Sequence, residues 1–281
     1  MTAFVSSSAS PTPAPHSRLK LAALLGACAL GAGCATVSQP TPGDPLESAN
    51  RGIFAFNEAV DGAVLKPITL AYRDLTPAPA RRCISNMFGN LGDVWSALNS
   101  FLQGRGHDFV NTLGRVMFNT TVGLGGCIDV ASMHGSRKIH NDFGITLGVW
   151  GLDSGPFLML PLLGPSSVRD GAGTLGSFAA GASTTAPILS IENIPVRNGV
   201  LSLYTVNARL GLLDTEDMVN RVAIDRYSFI RDAYLQRRQA QVNGNNDALP
   251  DYGDDPGDDL PDYGKDPGDA APAGNAPAMQ P

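Results

Sequence analysis

Cys34 is the residue whose type and setting most plainly call for chemistry. It closes an apolar run of thirteen residues, LAALLGACALGAG (Leu21–Gly33), and follows Gly31-Ala32-Gly33. Small residues before a Cys at the end of such a run suit bacterial lipidation, in which the sulfur takes a diacylglycerol and the Cys becomes the new N-terminus. The preferred Leu stands at Leu30, one position early, whereas Leu25-Gly26-Ala27-Cys28 fits the local pattern better but leaves a core of only seven residues. Cys34 is the expected lipidation site and Cys28 the alternative. Arg18 and Lys20 precede the run, which is too short to span a bilayer, so residues 1–33 read as an export signal. Ala35 lacks the carboxylate of an inner-membrane retention signal, so sorting to the outer membrane is expected. Acyl chains at about 0.8 kcal/mol per buried CH₂ make a durable anchor.

The other candidate groups carry little. His107, His134 and His140 are the histidines beyond the signal, and the neighbouring Asp108 and Asp142 do not make a triad of any of them. There is no GxSxG, HExxH or CxxC, and an enzyme is not expected; a lipid hydrolase would need a nucleophile that no local pattern supplies. Cys83 and Cys127 either pair in an oxidising compartment or remain two buried thiols. TTVGLGG (Thr120–Gly126) lacks the Lys-Ser/Thr of a phosphate loop and a preceding strand, so no nucleotide is expected. LPDYGDDPGDD (Leu249–Asp259) is followed by the similar LPDYGKDPGDA (Leu260–Ala270), but the terminal Glu of a calcium loop is missing. No metal or other cofactor is expected, and residues 243–281 read as a disordered acidic spacer.

The elements that would position a site are helical. Asp44 or Ser48 could open a helix carrying Ile53, Phe54, Phe56, Asn57 and Val60, ended near Pro67. Apolar stripes at helical spacing run through Met87/Phe88, Leu91, Val94/Trp95, Leu98 and Phe101/Leu102, then Phe109, Val110, Leu113, Val116 and Met117, then Val200, Leu203, Val206 and Leu210. Asp214-Thr215 resembles the cap of a last helix, with Met218, Val219, Val222, Phe229, Ile230, Ala233 and Tyr234 inward and Arg221, Arg226, Arg231, Arg237 and Arg238 outward. Each stripe reads as helix–helix core. Seventeen glycines between Gly89 and Gly176 call for short helices, tight turns and close backbone approaches. The fold expected is mainly α.

Charge narrows the partners. The whole chain carries −6, the tail accounts for −8 and the signal for +2, so residues 34–242 are neutral. Nothing in that balance recruits nucleic acid. Residues 34–43 read as a linker and 44–242 as one domain.

Within that domain the motifs resemble the MlaA/VacJ lipoproteins. DPLESANRGIFAFN (Asp44–Asn57), SNMFGNLGDVWSALNSFLQG (Ser85–Gly104), RVMFNTTVGLGGCIDVA (Arg115–Ala131), FGITLGVWGLDSGPFLMLPLLGPSSVRD (Phe143–Asp170) and RDAYLQRR (Arg231–Arg238) fall in the family's order. Cys83, Cys127 and the Asp-rich repeat are outside that pattern. The resemblance implies a compact, ring-like arrangement of short amphipathic helices with Gly-rich turns, lying in one membrane leaflet around an amphipathic channel. It implies removal of misplaced phospholipid from the outer leaflet, trimeric porins as neighbours, and a periplasmic phospholipid carrier of the Mla pathway as recipient. Such a protein sits at the periplasmic face of the outer membrane, lipid-anchored. A porin-associated scaffold without transport is the alternative.

The resemblance also assigns residues. Phe56 and Asn57 lie at the family's FN motif, where gating of lipid flow is expected, and Gly123, Gly125 and Gly126 are expected as a flexible or closely packed element near the channel. In Gly148–Asp170, Trp150 is the expected interfacial anchor. Phe157, Leu158, Leu160, Leu162 and Leu163 form the expected lipid-facing surface, with Arg169 and Asp170 returning to polar ground.

Overall fold

The computed structural model describes residue 41 and residues 43–244. Cys34, Cys28, the export signal and the Asp-rich repeat lie outside the described residues. Among the described residues eleven helices and one hairpin follow one another: α1 Glu47–Val60, a π-turn Asp61–Leu65, α2 Lys66–Leu75, α3 Ala78–Leu102, α4 Gly106–Thr121, α5 Val130–Met133, α6 Phe143–Val149, β1 Phe157–Leu160, β2 Gly164–Ser167, α7 Val168–Ala179, α8 Ala186–Leu189, α9 Ile194–Leu210, α10 Leu213–Val222 and α11 Arg226–Val242. The mainly α expectation holds. Among the described residues no helix is long and apolar enough to cross a membrane.

Pro67 does not end the first helix. The π-turn runs directly into α2, whose first turn takes Pro67, where a missing N–H costs nothing. The last expected helix is instead two. Ala223 is extended, and Asp225 caps α11 by accepting from the Tyr227 N–H at 3.2 Å while holding Arg51. Asp214 lies inside α10 and caps nothing.

The antiparallel hairpin was not expected from the Gly- and Pro-broken stretch that forms it. Phe157 pairs with Ser167 and Leu160 with Gly164, and β1 alternates buried with half-buried residues. Its free edge is covered by α1 in an unusual way. The Asn50 amide donates to the Phe157 carbonyl at 3.0 Å and accepts from the Met159 N–H at 2.9 Å. Two turns later the Asn57 amide repeats the pattern, donating to the Leu160 carbonyl at 3.0 Å and accepting from the Leu162 N–H at 2.8 Å. Asparagines seven apart on one helix thus stand in for a neighbouring strand, and the exposed row of backbone groups that an edge leaves is paired.

An apolar cluster of Phe157, Met159 and Tyr227, with Ile53, Phe54, Tyr234 and Leu235 packed on it, joins the hairpin to α1 and α11. It is small. Among the described residues nineteen polar or charged side chains are buried against twelve apolar ones, while thirty-three large apolar side chains are exposed.

That inversion overturns the reading of two stripes as helix–helix core. On α3 the apolar positions Met87, Val94, Leu98, Phe101 and Leu102 face outward, and Asp93, Ser96, Asn99 and Ser100 are buried. On α4, Val110, Leu113, Met117 and Phe118 are exposed, and Thr112, Arg115 and Asn119 are buried. The stripe on α9 does turn inward, with Val206 and Leu210 buried. On the last two helices the arginine face is partly the buried one: Arg231 is 5% exposed, and Arg238 is held in an ion network. Met218, Val222 and Phe229, expected inward, are exposed.

Candidate functional site

The buried polar groups of α3 and α4 converge first on Arg115. Its guanidinium, 1% exposed, donates to Asp129 at 2.7 Å, to Asp93 at 3.3 Å, to the Ser132 hydroxyl at 2.9 Å and to the Ser136 carbonyl at 2.7 Å. Burial opposes ionisation of Asp129, but hydrogen bonds from Ser132, Asn119 and Arg115 outweigh it and hold that carboxyl down at about 2. Asp93 goes the other way, pushed up by its burial against the pull of Lys138 and Arg115.

This cluster fixes the Gly-rich loop between α4 and α5. A Cβ on Gly123 would overlap the backbone oxygens of Ile128 and Asn119, so the loop closes on itself only around glycine. Gly125 and Gly126 take φ of +73° and +91°, a region open to glycine. The Gly126 N–H donates to the Asn119 carbonyl at 2.8 Å, the Asn86 amide donates to the Cys127 carbonyl at 3.1 Å, and Cys83 and Cys127 form a disulfide. A Cβ on Gly125 would meet nothing within 4 Å, so the close approaches in this loop are at Gly123 and Gly126.

A second ionic cluster ties α6, α7 and α11 together. Arg238 of α11 donates to Asp142 at 2.6 and 2.9 Å and lies 2.9 Å from Asp170, which also accepts from the Tyr234 hydroxyl at 2.7 Å and pairs with Arg169. Burial resists ionisation of Asp170, yet Arg238, Tyr234 and Arg169 together hold its carboxyl well below the usual carboxylate range. Gly144 and Gly173 let α6 and α7 touch backbone to backbone, because a Cβ at either would meet the other helix or the ionic cluster within 3 Å. Arg169 and Asp170, expected to return the chain to polar ground, are 7% and 3% exposed and do so within this ionic interior.

Between the two clusters lies a cavity of about 610 Å³ ringed by α3, α6, α7, α9, α11 and the segments 138–142 and 182–185. Its wall mixes Phe88, Trp95, Phe178 and Tyr204 with Asp93, Lys138, His140, Asn141, Arg237 and Gln241. An apolar body and a charged head can both be accommodated there. The ring expected from the resemblance is this circle of helices.

None of the five residues expected to gate or border a channel lines the cavity. Asn57 is engaged with the hairpin turn, Phe56 is 52% exposed, and the three glycines belong to the loop braced by Arg115 and the disulfide. Of the expected lipid-facing residues, Trp150, Leu162 and Leu163 are exposed at 53%, 68% and 74%, and Leu158 and Leu160 are half-buried. Phe157 is a correction: it is fully buried against Tyr227 and Tyr234, because alternation along β1 turns it to the core face. The cavity residues Asp93, Asn141 and Gln241 were missed. For Asp93 the available signal was the polar stripe Asp93-Ser96-Ser100, which runs opposite the apolar one on α3.

The profile of the MlaA lipoprotein family matches residues 42–241, which takes in every element of both clusters and the cavity up to its last lining residue, Gln241. The chain belongs to the MlaA lipoprotein family. The chain is 35% identical over 233 residues to the intermembrane phospholipid transport system lipoprotein MlaA of Escherichia coli strain K12, covering 81% of this chain and 90% of the relative. With the protein of the same name from Haemophilus influenzae it shares 31% identity, covering 82% and 95%. A solved structure reported as the structural basis for maintenance of bacterial outer membrane lipid asymmetry superposes with a TM-score of 0.60 at 36% identity, covering 71% of this chain and 99% of that one. Within the MlaA fold, the Cys83–Cys127 bridge joins the start of α3 to the Gly-rich loop.

Proposed function

We propose that this chain is an outer-membrane lipoprotein that removes misplaced phospholipid from the outer leaflet through the ringed cavity and passes it to a periplasmic carrier. The observation that carries the reading is the inverted surface: apolar side chains of α3 and α4 outside, charged and amide side chains inside around a cavity. A folded chain exposes that many large apolar side chains where lipid or a partner covers them. In a single leaflet, short helices with every backbone group paired satisfy the bilayer's demand for internal hydrogen bonds. The asparagine ladder along β1 meets that demand at the one strand edge on α1's side.

In this reading residues 1–33 are the export signal, Cys34 carries the acyl anchor, 34–43 is a linker, 44–242 lies at the periplasmic face of the membrane, and 243–281 is a spacer. Trp150, whose indole N–H donates to the Leu102 carbonyl at 3.0 Å, sits at the interface, and Leu162 and Leu163 enter the acyl region. Leu158 and Leu160 border it. Phe56 and Asn57 act on lipid flow through the hairpin they hold, and Gly123, Gly125 and Gly126 through the braced loop. Trimeric porin is the neighbour in the membrane. No bond is made or broken, so no catalytic residue is assigned.

The test is the outer-leaflet phospholipid content of cells lacking the gene, with and without a wild-type copy. A rise on deletion that the copy reverses is expected. Unchanged surface lipid, with the protein still in the outer membrane, would replace this reading with a porin-associated scaffold.

A further inference from the structure

A groove lies beside the ringed cavity, where the end of α7 meets α8. It encloses about 610 Å³ and is lined by Phe178, Gly181, Ala186, Pro187, Leu189 and Ser190. Phe178 also lines the ringed cavity, and among the described residues it is the one common to both walls. The turn between α7 and α8 continues the partition. Ala182, Ser183, Thr184 and Thr185 line the cavity, while Gly181 and Ala186 on either side of them line the groove. Thr184 reaches toward α3, its hydroxyl 3.7 Å from where a Cβ on Gly92 would stand.

Across that partition the chemistry changes. The cavity wall carries charges of both signs, among them Asp93, Asp142, Arg237 and Arg238. The groove carries no charged side chain, and its one polar side chain, Ser190, donates its hydroxyl to the Ala186 carbonyl at 2.7 Å. A polar group entering the groove would leave water without finding a side chain to replace it, so the occupant that fits is apolar. Six residues are too few for a protein partner, whose interface takes roughly 20–30 residues a side. Phe178 is 56% exposed, so its ring can turn aside without opening a packed core. A molecule with a charged head and a long apolar chain fits the two spaces together.

Resting on the transport reading above, we infer that the groove seats an acyl chain of a phospholipid whose headgroup lies in the ringed cavity. Phe178 is the partition, and the chain passes beside it. The ring is thus open to one side for acyl chains, and a lipid need not draw its whole length through the charged cavity.

The full-length lipidated protein in detergent is titrated with phosphatidylethanolamine brominated on its acyl chains, because bromine quenches tryptophan on contact. The chain has two tryptophans, so Trp150→Phe leaves Trp95 at the cavity wall. In that background Leu189→Trp reports from within the groove, Leu175→Trp from one helical turn before Phe178, and Val94→Trp from the outer face of α3. Quenching at Leu189→Trp or Leu175→Trp should saturate at an equimolar amount of lipid, whereas at Val94→Trp it should rise in proportion to the lipid content of the micelle. Ser190→Phe fills the groove at the loss of one exposed hydrogen bond and should abolish the saturating phase. In cells the same substitution alone should raise outer-leaflet phospholipid toward the level of cells lacking the gene. Saturation that survives Ser190→Phe would overturn the acyl-chain seat. So would proportional quenching at both groove reporters with saturable quenching at Trp95, which leaves the transport reading standing. Absence of saturable quenching at all of them, Trp95 included, would overturn both.

Discussion

At the scale of single residues, polar side chains replace the apolar contacts that hold most cores together. Asn57 illustrates the exchange, since one amide satisfies both the Leu160 carbonyl and the N–H of Leu162, a residue at φ +64° in the hairpin turn. Asn57→Ala leaves both backbone groups without a partner and should cost about 2 kcal/mol, read as a lower unfolding temperature in detergent. The same variant should raise outer-leaflet phospholipid in cells; unchanged surface lipid would remove Asn57 from any role in lipid flow. Asp129 makes a prediction with a sign. Its folded carboxyl sits at about 2, below the ordinary value near 4, so the stability it contributes is complete above about pH 4 and fades as pH falls toward about 2. Asp129→Asn should therefore lower stability by about 2 kcal/mol near neutral pH, and its gap from the unsubstituted protein should close in that acid window. Asp93, pushed up by burial, contributes the opposite slope but does so in both proteins. A gap that persists unchanged at low pH would mean that Asp129's charge does not brace Arg115.

At the scale of elements, the loop from Gly123 to Asp129 is held by a glycine with no room for a Cβ, by a disulfide and by the pair of Asp129 with Arg115. The bridge from Cys83 to Cys127 spans 44 residues, and its loss should cost about 2–4 kcal/mol through the larger entropy of the unfolded chain. Reduction, or Cys83→Ser with Cys127→Ser, should lower the unfolding temperature accordingly. Gly123→Ala should destabilise by about 1–3 kcal/mol through overlap with backbone, whereas Gly114→Ala in α4, where a Cβ meets open space, should be neutral or stabilising by up to about 1 kcal/mol. Equal effects of the two alanines would show that the loop yields. The helices α3, α4 and α9 were legible in the sequence because their apolar residues recur at 3.6-residue spacing. Which way the first two stripes point was not, because periodicity separates two faces of a helix without saying which one meets solvent. In water the stripe of Met87, Val94 and Leu98 would turn inward; here Asp93, Ser96 and Ser100 do. The hairpin was hidden because its strands are four residues each, and the asparagines that complete its edge sit more than a hundred residues away. The cavity escaped for the same reason, being assembled from α3, α6, α7, α9 and α11.

At the scale of the whole molecule the neutral charge of residues 34–242 and the apolar exterior belong together. A surface that meets acyl chains has little use for net charge, and the arginines that an ordinary helical domain would spread over its outside are here spent on interior pairs with Asp129, Asp170 and Asp61. In the proposed reading, membrane residence rests on two independent contributions, an acyl anchor at Cys34 and a lipid-facing body. They separate experimentally. Cys34→Ser, expressed behind a cleavable export signal so that the chain still reaches the periplasm, removes the anchor and leaves the exposed faces of α3 and α4 intact. If those faces lie in a leaflet, the unlipidated protein stays with the outer-membrane fraction and leaves it only with detergent, since three or four large apolar side chains at about 1.5–3 kcal/mol each already rival an acyl chain. A body that becomes soluble on loss of Cys34 would instead have its apolar faces covered by a partner protein, and would move the chain from lipid conduit to scaffold. Charging the surface sharpens the contrast: Val94→Lys and Leu98→Lys on the outer face of α3 should release an embedded body from the membrane with little effect on its folding, because neither side chain reaches the cavity or the ionic clusters. Retention of that double variant in the membrane at wild-type levels would exclude the outer face of α3 from the bilayer.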